Sequence, residues 1–173
     1  YQKALKIKPH NYKALNNLGI ALRKSGDSNA AINSYKKALE IHPEYVEAYC
    51  NLGNAYQDQG DINLAINLYQ RALKINPRYP NAYYNLGTIK YEQQNFNTAI
   101  NFFKKAIQFN TRYTDAYNNL GSALHEKGQL NSAIDSYQKA IEINPSYPEA
   151  HWNLSLTQLL CGDYNSGWEN YQW

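Results

Sequence analysis

A 34-residue period runs through the whole chain and constrains its fold more than any other feature. A leucine followed by glycine or serine, an alanine, an aromatic residue and a proline each recur at that interval. The recurring positions include Leu18, Leu52, Leu86, Leu120 and Leu154, then Ala31, Ala65, Ala99 and Ala133, then Tyr35, Tyr69, Phe103, Tyr137 and Tyr171, then Pro9, Pro43, Pro77 and Pro145. A period of this length predicts an array of small repeated units, each of which is one supersecondary element.

Within one period the apolar residues follow two helical stripes. The first stripe, in 49–56, places apolar side chains at i, i+3, i+4 and i+7, which is one face of an α-helix. A break at Gly60 follows, then a second stripe in 64–73, and Pro77 closes the unit. Neither helix hides its apolar face alone, so the units must stack on one another. The sequence therefore predicts an all-α solenoid of antiparallel helix pairs.

These positions resemble the tetratricopeptide repeat (TPR) family along the whole chain. In one repeat the signature residues are Tyr49, Leu52, Gly53, Tyr56, Gly60, Ala65, Tyr69, Ala72 and Pro77. The strict period of 34 argues against the RNA-binding pentatricopeptide repeats, whose period is 35. The resemblance implies a right-handed superhelix that binds a protein or an extended peptide in its concave groove.

The repeat register divides the single array into six parts. We expect the second helix of a truncated repeat at 1–11, full repeats at 12–45, 46–79, 80–113 and 114–147, and an atypical, truncated final repeat at 148–173. A chain that starts at Tyr1 without methionine and cuts a repeat at both ends is expected to be a fragment. Its uncovered ends predict end-to-end self-association.

One asparagine column is the strongest functional signal. An asparagine stands immediately before the leucine of every repeat, at Asn17, Asn51, Asn85, Asn119 and Asn153. Asparagine within a helix costs up to about 0.7 kcal/mol relative to alanine, so something must compensate in each repeat. A side-chain amide carries both donors and an acceptor and can pair with a peptide unit. Amides repeated once per unit would hold an extended backbone whatever its sequence.

An alternative interpretation makes the same column structural. Each asparagine would then bond the backbone of the neighbouring repeat and set the stacking, and recurrence alone does not separate the two readings. The TPR arrays of bacterial O-linked N-acetylglucosamine transferase-like proteins carry a peptide-binding asparagine ladder in this column, and the sequence resembles them. The stretch 153–173 also looks like the last repeat before a glycosyltransferase-like domain. The resemblance favours the ladder.

Three aromatic residues are candidate contacts beside the ladder. All the tyrosines except Tyr84 and Tyr91 fall in columns assigned to repeat packing or helix ends, Tyr171 and Tyr164 among them. Tyr84 and Tyr91 lie seven residues apart on one face of a first helix, which the sequence places away from its packing stripe. Trp152 occupies the Tyr84 column in the last repeat. We predict that these three residues contact the ligand.

Composition excludes several other classes. The chain is 43% hydrophobic and 14% aromatic with a net charge of +3, which is unlike a disordered protein. A mean hydropathy of −0.71 argues against a membrane span, and scattered charges argue against a nucleic-acid surface. No catalytic constellation, metal-ligand spacing or cofactor motif is present in the sequence. The chain itself is expected to be non-enzymatic, without a cofactor, and cytoplasmic.

Three functions therefore stay open from the sequence. The favoured one is a protein–protein interaction module that binds an extended peptide through the asparagine ladder. The second is the substrate-recognition arm of a larger glycosyltransferase-like protein, with catalysis elsewhere in the parent chain. The third is an assembly scaffold that binds through its edges or ends.

Overall fold

A computed structural model describes residues 10–172, and within that range the chain forms ten helices and no strand. They are α1 (Tyr12–Lys24), α2 (Ser28–Ile41), α3 (Val46–Asp58), α4 (Ile62–Ile75), α5 (Pro80–Glu92), α6 (Phe96–Phe109), α7 (Thr114–Glu126), α8 (Leu130–Ile143), α9 (Pro148–Leu160) and α10 (Tyr164–Tyr171). The predicted all-α fold of antiparallel helix pairs is confirmed. The half-repeat expected at 1–11 lies outside the described residues, apart from its last two positions.

The helices group into two compact units that divide between Ala82 and Tyr83, inside α5. In the first unit α2 packs against α1 and α3, and α3 packs against α4. In the second unit α7 packs against α6 and α8, and α9 packs against α8 and α10. The first helices of neighbouring repeats also touch, α1 against α3 and α7 against α9. These contacts bring the asparagine-bearing helices of adjacent repeats side by side within each unit.

In the four full repeats a glycine of the first helix faces an aromatic ring of the second. A Cβ added at Gly53 would lie 2.5 Å from Cε1 of Tyr69, well inside van der Waals contact. The same relation joins Gly19 to Tyr35, Gly87 to Phe103 and Gly121 to Tyr137. All four rings are at most 2% exposed. The glycine is therefore required for the close approach of the two helices, and the recurring aromatic is core.

In the last repeat the glycine column holds a larger residue and the alanine column holds a smaller one. Ser155 occupies the glycine column and Gly167 the alanine column, and Ser155 Oγ donates a 2.8 Å hydrogen bond to the Gly167 carbonyl oxygen. Because Ser155 carries a Cβ where the other repeats have none, a ring cannot pack there as Tyr137 does. Tyr171, which aligns with Tyr137, is 45% exposed, and Tyr164 is 64% exposed. The assignment of these two tyrosines to packing is therefore wrong.

The turn between the two helices of a pair uses left-handed backbone. Gly26, Gly60, Gly128 and Gly162 have φ between 71° and 87°. The third full repeat has Gln94 at the same place, with φ of 57°, and it is the one non-glycine residue with positive φ among residues 10–172. Its N–H still donates to the Tyr91 carbonyl oxygen at 2.8 Å, as the glycines do to theirs. Gln94 therefore keeps the turn but strains it.

Replacing Gln94 with glycine is expected to stabilise the protein by about 1 kcal/mol, because a left-handed conformation costs other residues roughly that much more than glycine. The melting temperature should rise by about 2–4 °C in a circular dichroism melt. The reciprocal change, Gly128→Gln, is the matched control and should lower it by a similar amount. A fall in melting temperature for Gln94→Gly would contradict this account of the turn.

Candidate functional site

The asparagine column lies on the first helix of every pair. Asn17 is exposed on α1, and the four others, on α3, α5, α7 and α9, are half-buried. The column borders the packed face of these helices: Leu52, next to Asn51, and Ala55, one turn after it, are 4% and 0% exposed. The column therefore lies at the edge of the packed face of each first helix.

Three asparagines of the column donate a side-chain hydrogen bond to the preceding repeat. The acceptor in each case is a polar side chain 35 residues earlier, one position before the column in that repeat. The three bonds run from Nδ2 of Asn51 to Oδ1 of Asn16 (2.9 Å), of Asn153 to Oδ1 of Asn118 (3.0 Å) and of Asn119 to the Tyr84 hydroxyl (3.1 Å). Of these acceptors the sequence pointed only to Tyr84, and to that residue as a ligand contact; the acceptor role of Asn16, Tyr84 and Asn118 was not predicted.

These bonds orient the amides but use only part of their hydrogen-bonding capacity. Each amide has two N–H donors and an oxygen acceptor, and the bond to the preceding repeat uses one donor. Among the described residues, nothing donates to Oδ1 of Asn51 or of Asn153. Asn119 differs, since its Oδ1 accepts a 3.3 Å hydrogen bond from the Asn118 side chain. The stacking interpretation predicts backbone partners, whereas the partners observed in the neighbouring repeat are side chains.

Tyr84 is a packed residue rather than a free one. Its ring lies 5.0 Å from that of Tyr113 and 6.0 Å from that of Phe103, and it borders the hydrophobic cluster of the second unit. Burial, and after it the negative charge of Asp115, raises the pKa of its phenol. The prediction that Tyr84 stands away from the packing stripe is wrong, because the ring reaches back over α6 while its hydroxyl accepts from Asn119.

Tyr91 is also half-buried and packed against the same cluster. Its ring meets that of Phe96 edge-on at 5.5 Å, so its predicted position away from the packing stripe is wrong as well. It borders a small pocket of about 160 Å³ together with His125 and Asn153.

A hydrogen-bond chain holds His125 beside this pocket. The Thr157 hydroxyl donates its proton to the Asn153 carbonyl oxygen at 2.7 Å. The hydroxyl oxygen therefore accepts from Nδ1–H of His125, 3.0 Å away.

Trp152 is the one predicted aromatic contact that is open to solvent. It is 49% exposed, and its ring packs at a tilt against that of Tyr171, with centroids 5.1 Å apart; the Tyr171 ring also meets that of Trp168 edge-on at 5.5 Å. A pocket of about 470 Å³ opens beside it, lined by Asn118, Pro148, Glu149, Trp152, Asn153, Asn170 and Tyr171. The structure thus brings Trp152 and a column asparagine, Asn153, to the same pocket.

Residues 10–172 hold no group of three or more histidine, cysteine, aspartate or glutamate side chains placed to bind a metal ion. No helix in the same range combines the length and the apolar character needed to cross a membrane.

Comparison with protein families decides the family. A model described as "TPR repeat" matches residues 19–60, 87–128 and 121–162, which together are more than half of the chain. The chain belongs to the tetratricopeptide repeat family. Two models described as "Tetratricopeptide repeat" match residues 46–79, and 1–33 with 68–101. Domains of this family are generally non-catalytic, protein-binding modules. The narrower resemblance to O-linked N-acetylglucosamine transferase arrays stays a prediction.

Solved structures of tetratricopeptide repeat proteins match the chain closely. A crystal structure of MamA is 32% identical with a TM-score of 0.76, over 89% of this chain and 90% of MamA. The pilF protein of Pseudomonas aeruginosa is 24% identical with a TM-score of 0.87, over 93% and 73% of the two chains. YrrB, described as a TPR protein with an unusual peptide-binding site, is 22% identical with a TM-score of 0.70, over 98% and 87%. No curated protein sequence matches the chain.

Proposed function

We propose that this chain is a peptide-binding module that holds an extended segment of a partner protein along its asparagine column. The side-chain amides of Asn51, Asn119 and Asn153 would pair with peptide groups of the bound backbone. Trp152 would add a side-chain contact, whereas Tyr84 would act as a positioning residue that orients Asn119. Tyr91 would line the small pocket beside Asn153.

One observation carries the proposal: the amides are oriented by the preceding repeat and still have hydrogen-bonding capacity. The bond from Nδ2 to the preceding repeat fixes the plane of the amide before any ligand arrives, which lowers the entropy lost on binding. The Oδ1 atoms of Asn51 and Asn153 accept a hydrogen bond from none of the described residues. They therefore suit a ligand that is rich in N–H donors. An extended polypeptide backbone offers such donors at regular intervals.

Family membership supports a protein ligand, and YrrB is a member whose description includes a peptide-binding site. The alternatives of a recognition arm in a glycosyltransferase-like protein and of an edge-binding scaffold stay predictions. An edge-binding scaffold would leave the asparagine column empty, whereas the proposed module binds its peptide there. The experiment therefore tests whether binding depends on the column.

The test is an array of unrelated 12-residue peptides probed with the purified chain, followed by titration of the tightest binder by calorimetry. Replacing Asn51, Asn119 or Asn153 singly with alanine is expected to weaken binding by about three- to tenfold each, because one hydrogen bond contributes about 0.5–1.5 kcal/mol. The melting temperature of each variant should fall by less than about 4 °C, since only one inter-repeat bond is lost.

Two kinds of variant serve as controls. Asn63→Ala and Asn131→Ala remove exposed asparagines from second helices and should leave affinity unchanged. Asn16→Ala removes the acceptor of the Asn51 bond but keeps the Asn51 amide, so it should cost less affinity than Asn51→Ala at a similar cost in stability. Peptides that bind the three column variants as tightly as the unmodified chain would overturn the proposal in favour of an edge-binding scaffold.

A further inference from the structure

The pocket beside Trp152 has a built aromatic wall. The rings of Trp152 and Tyr171 pack in a tilted pair with centroids 5.1 Å apart and planes 36° apart, and the ring of Trp168 meets that of Tyr171 edge-on. Tyr171 is available for this wall because Ser155 excludes it from the core position that Tyr137 fills in the preceding repeat. The aromatic wall is therefore particular to the last repeat, since Tyr35, Tyr69 and Tyr137 of the same column are buried.

The only charge among the described residues that line this pocket is negative. Glu149, exposed in the first turn of α9, is the one charged side chain among the described residues that line it. Oδ1 of Asn153 accepts from none of the described residues. The donors of Asn170 are already used, since its Nδ2 bonds Oε1 of Gln158 at 2.9 Å and the Ser166 carbonyl oxygen at 3.0 Å. An acidic residue, an asparagine and two aromatic residues thus line one space.

This combination selects against most side chains. The faces of aromatic rings carry negative potential and attract cations, as does the Glu149 carboxylate. An anionic side chain would be repelled by both. A purely aliphatic one would cover the carboxylate without pairing it, which costs free energy. A lysine or arginine places its apolar stem against the rings and its charged donors on the oxygens.

We propose that the pocket bounded by Glu149, Trp152 and Tyr171 binds a lysine or arginine side chain of the partner peptide, at the position next to the backbone held by Asn153. This specificity site rests on the proposed peptide-binding function. The column would then supply contacts that do not depend on sequence, and the last repeat would supply the preference for a basic residue.

A fragment titration tests the pocket without requiring a bound peptide. The probe is n-butylammonium, with n-pentanol, which is one heavy atom longer, as the uncharged comparator, and the readout is the Asn153 side-chain amide resonance of the ¹⁵N-labelled chain. We expect butylammonium to give a saturable shift and pentanol to bind at least about threefold more weakly. Glu149→Gln and Trp152→Leu should each weaken butylammonium by about threefold, and added salt should weaken it further.

The matched control is Glu169→Gln, which removes the same charge from an exposed position of α10 outside the pocket lining and should leave the titration unchanged. Equal binding of pentanol and butylammonium, or an unchanged titration in Glu149→Gln, would overturn the proposal. So would the absence of any shift with the unmodified chain.

A peptide arm separates this proposal from the one on which it rests. In a peptide selected from the array, replacing its basic residue with norleucine should weaken binding to the unmodified chain but hardly at all to Glu149→Gln. If the array selects no peptide while butylammonium still binds, the peptide-binding proposal fails and the cation pocket stands. If peptides bind through the column without preference for a basic residue, the pocket proposal alone fails.

Discussion

Replacing Gly121 with alanine is expected to lower the free energy of unfolding by about 2 kcal/mol. The new Cβ would lie 2.5 Å from Cε1 and 2.7 Å from Cδ1 of Tyr137, a ring that is 2% exposed and enclosed by Leu120, Ala133 and Leu154. Because the ring is buried in this cluster, the strain should reach about 3 kcal/mol, of which the better helix propensity of alanine returns about 1. The melting temperature should fall by about 4–8 °C in a circular dichroism melt.

A double-mutant cycle with Tyr137→Leu identifies the cause. Leucine lacks the ring atoms that the alanine Cβ would meet, so in that background Gly121→Ala should cost less than about 0.5 kcal/mol or stabilise the protein. The last repeat is a natural parallel, since Ser155 stands in the glycine column and its aromatic counterpart, Tyr171, is turned out to the surface. An equal cost of Gly121→Ala in both backgrounds would show that the ring contact is not responsible.

The two cysteines are expected to differ by about a thousandfold or more in reactivity toward a disulfide reagent such as DTNB at about pH 8. Cys50 is 3% exposed on α3, and burial, followed by the negative charge of Glu47, raises the pKa of its thiol to about 12. Only the thiolate reacts, and a thiol with that pKa is ionised to about one part in ten thousand at about pH 8. Cys161 is exposed at the C-terminal end of α9 and has no such protection.

Single-cysteine variants make this difference measurable. With Cys161→Ser, the remaining Cys50 should react very slowly in the folded protein and rapidly in concentrated urea, so its rate reports the opening of the first unit. With Cys50→Ser, the remaining Cys161 should react at nearly the same rate in both conditions. A folded Cys161→Ser variant whose thiol reacts within about tenfold of the unfolded rate would contradict the burial of Cys50.

Sequence alone was enough to predict the helix pairs and the family. Each helix pair repeats the same small and large residues at the same interval, and the contact of Gly53 with Tyr69 is between residues of one repeat. The 34-residue period predicts local packing of this kind, because each repeat contacts only its neighbours. The asparagine column was also visible in the sequence, since it is invariant within the chain while the position before it varies.

The orientation of side chains around that column was not predictable in the same way. Tyr84 and Tyr91 lie outside the expected stripe, yet both pack against the cluster of the second unit, because a long aromatic side chain reaches beyond the face on which its Cα lies and contacts the next helix. The bond from Asn119 to the Tyr84 hydroxyl joins residues 35 apart, one more than the period. A comparison of equivalent positions in the repeats therefore does not reveal it.

The amino-acid sequence by itself determined the repeat, the all-α fold and the existence of an asparagine on every first helix. Only the tertiary structure decided which hydrogen bonds and ring contacts those asparagines and aromatic residues make. It oriented three of the amides by bonds between repeats, packed Tyr84 and Tyr91, and turned Tyr171 out to meet Trp152. The physical reason is that periodicity specifies which face of a helix a residue lies on, whereas hydrogen bonds and ring contacts depend on the rotamers and free volume that the neighbouring repeat leaves.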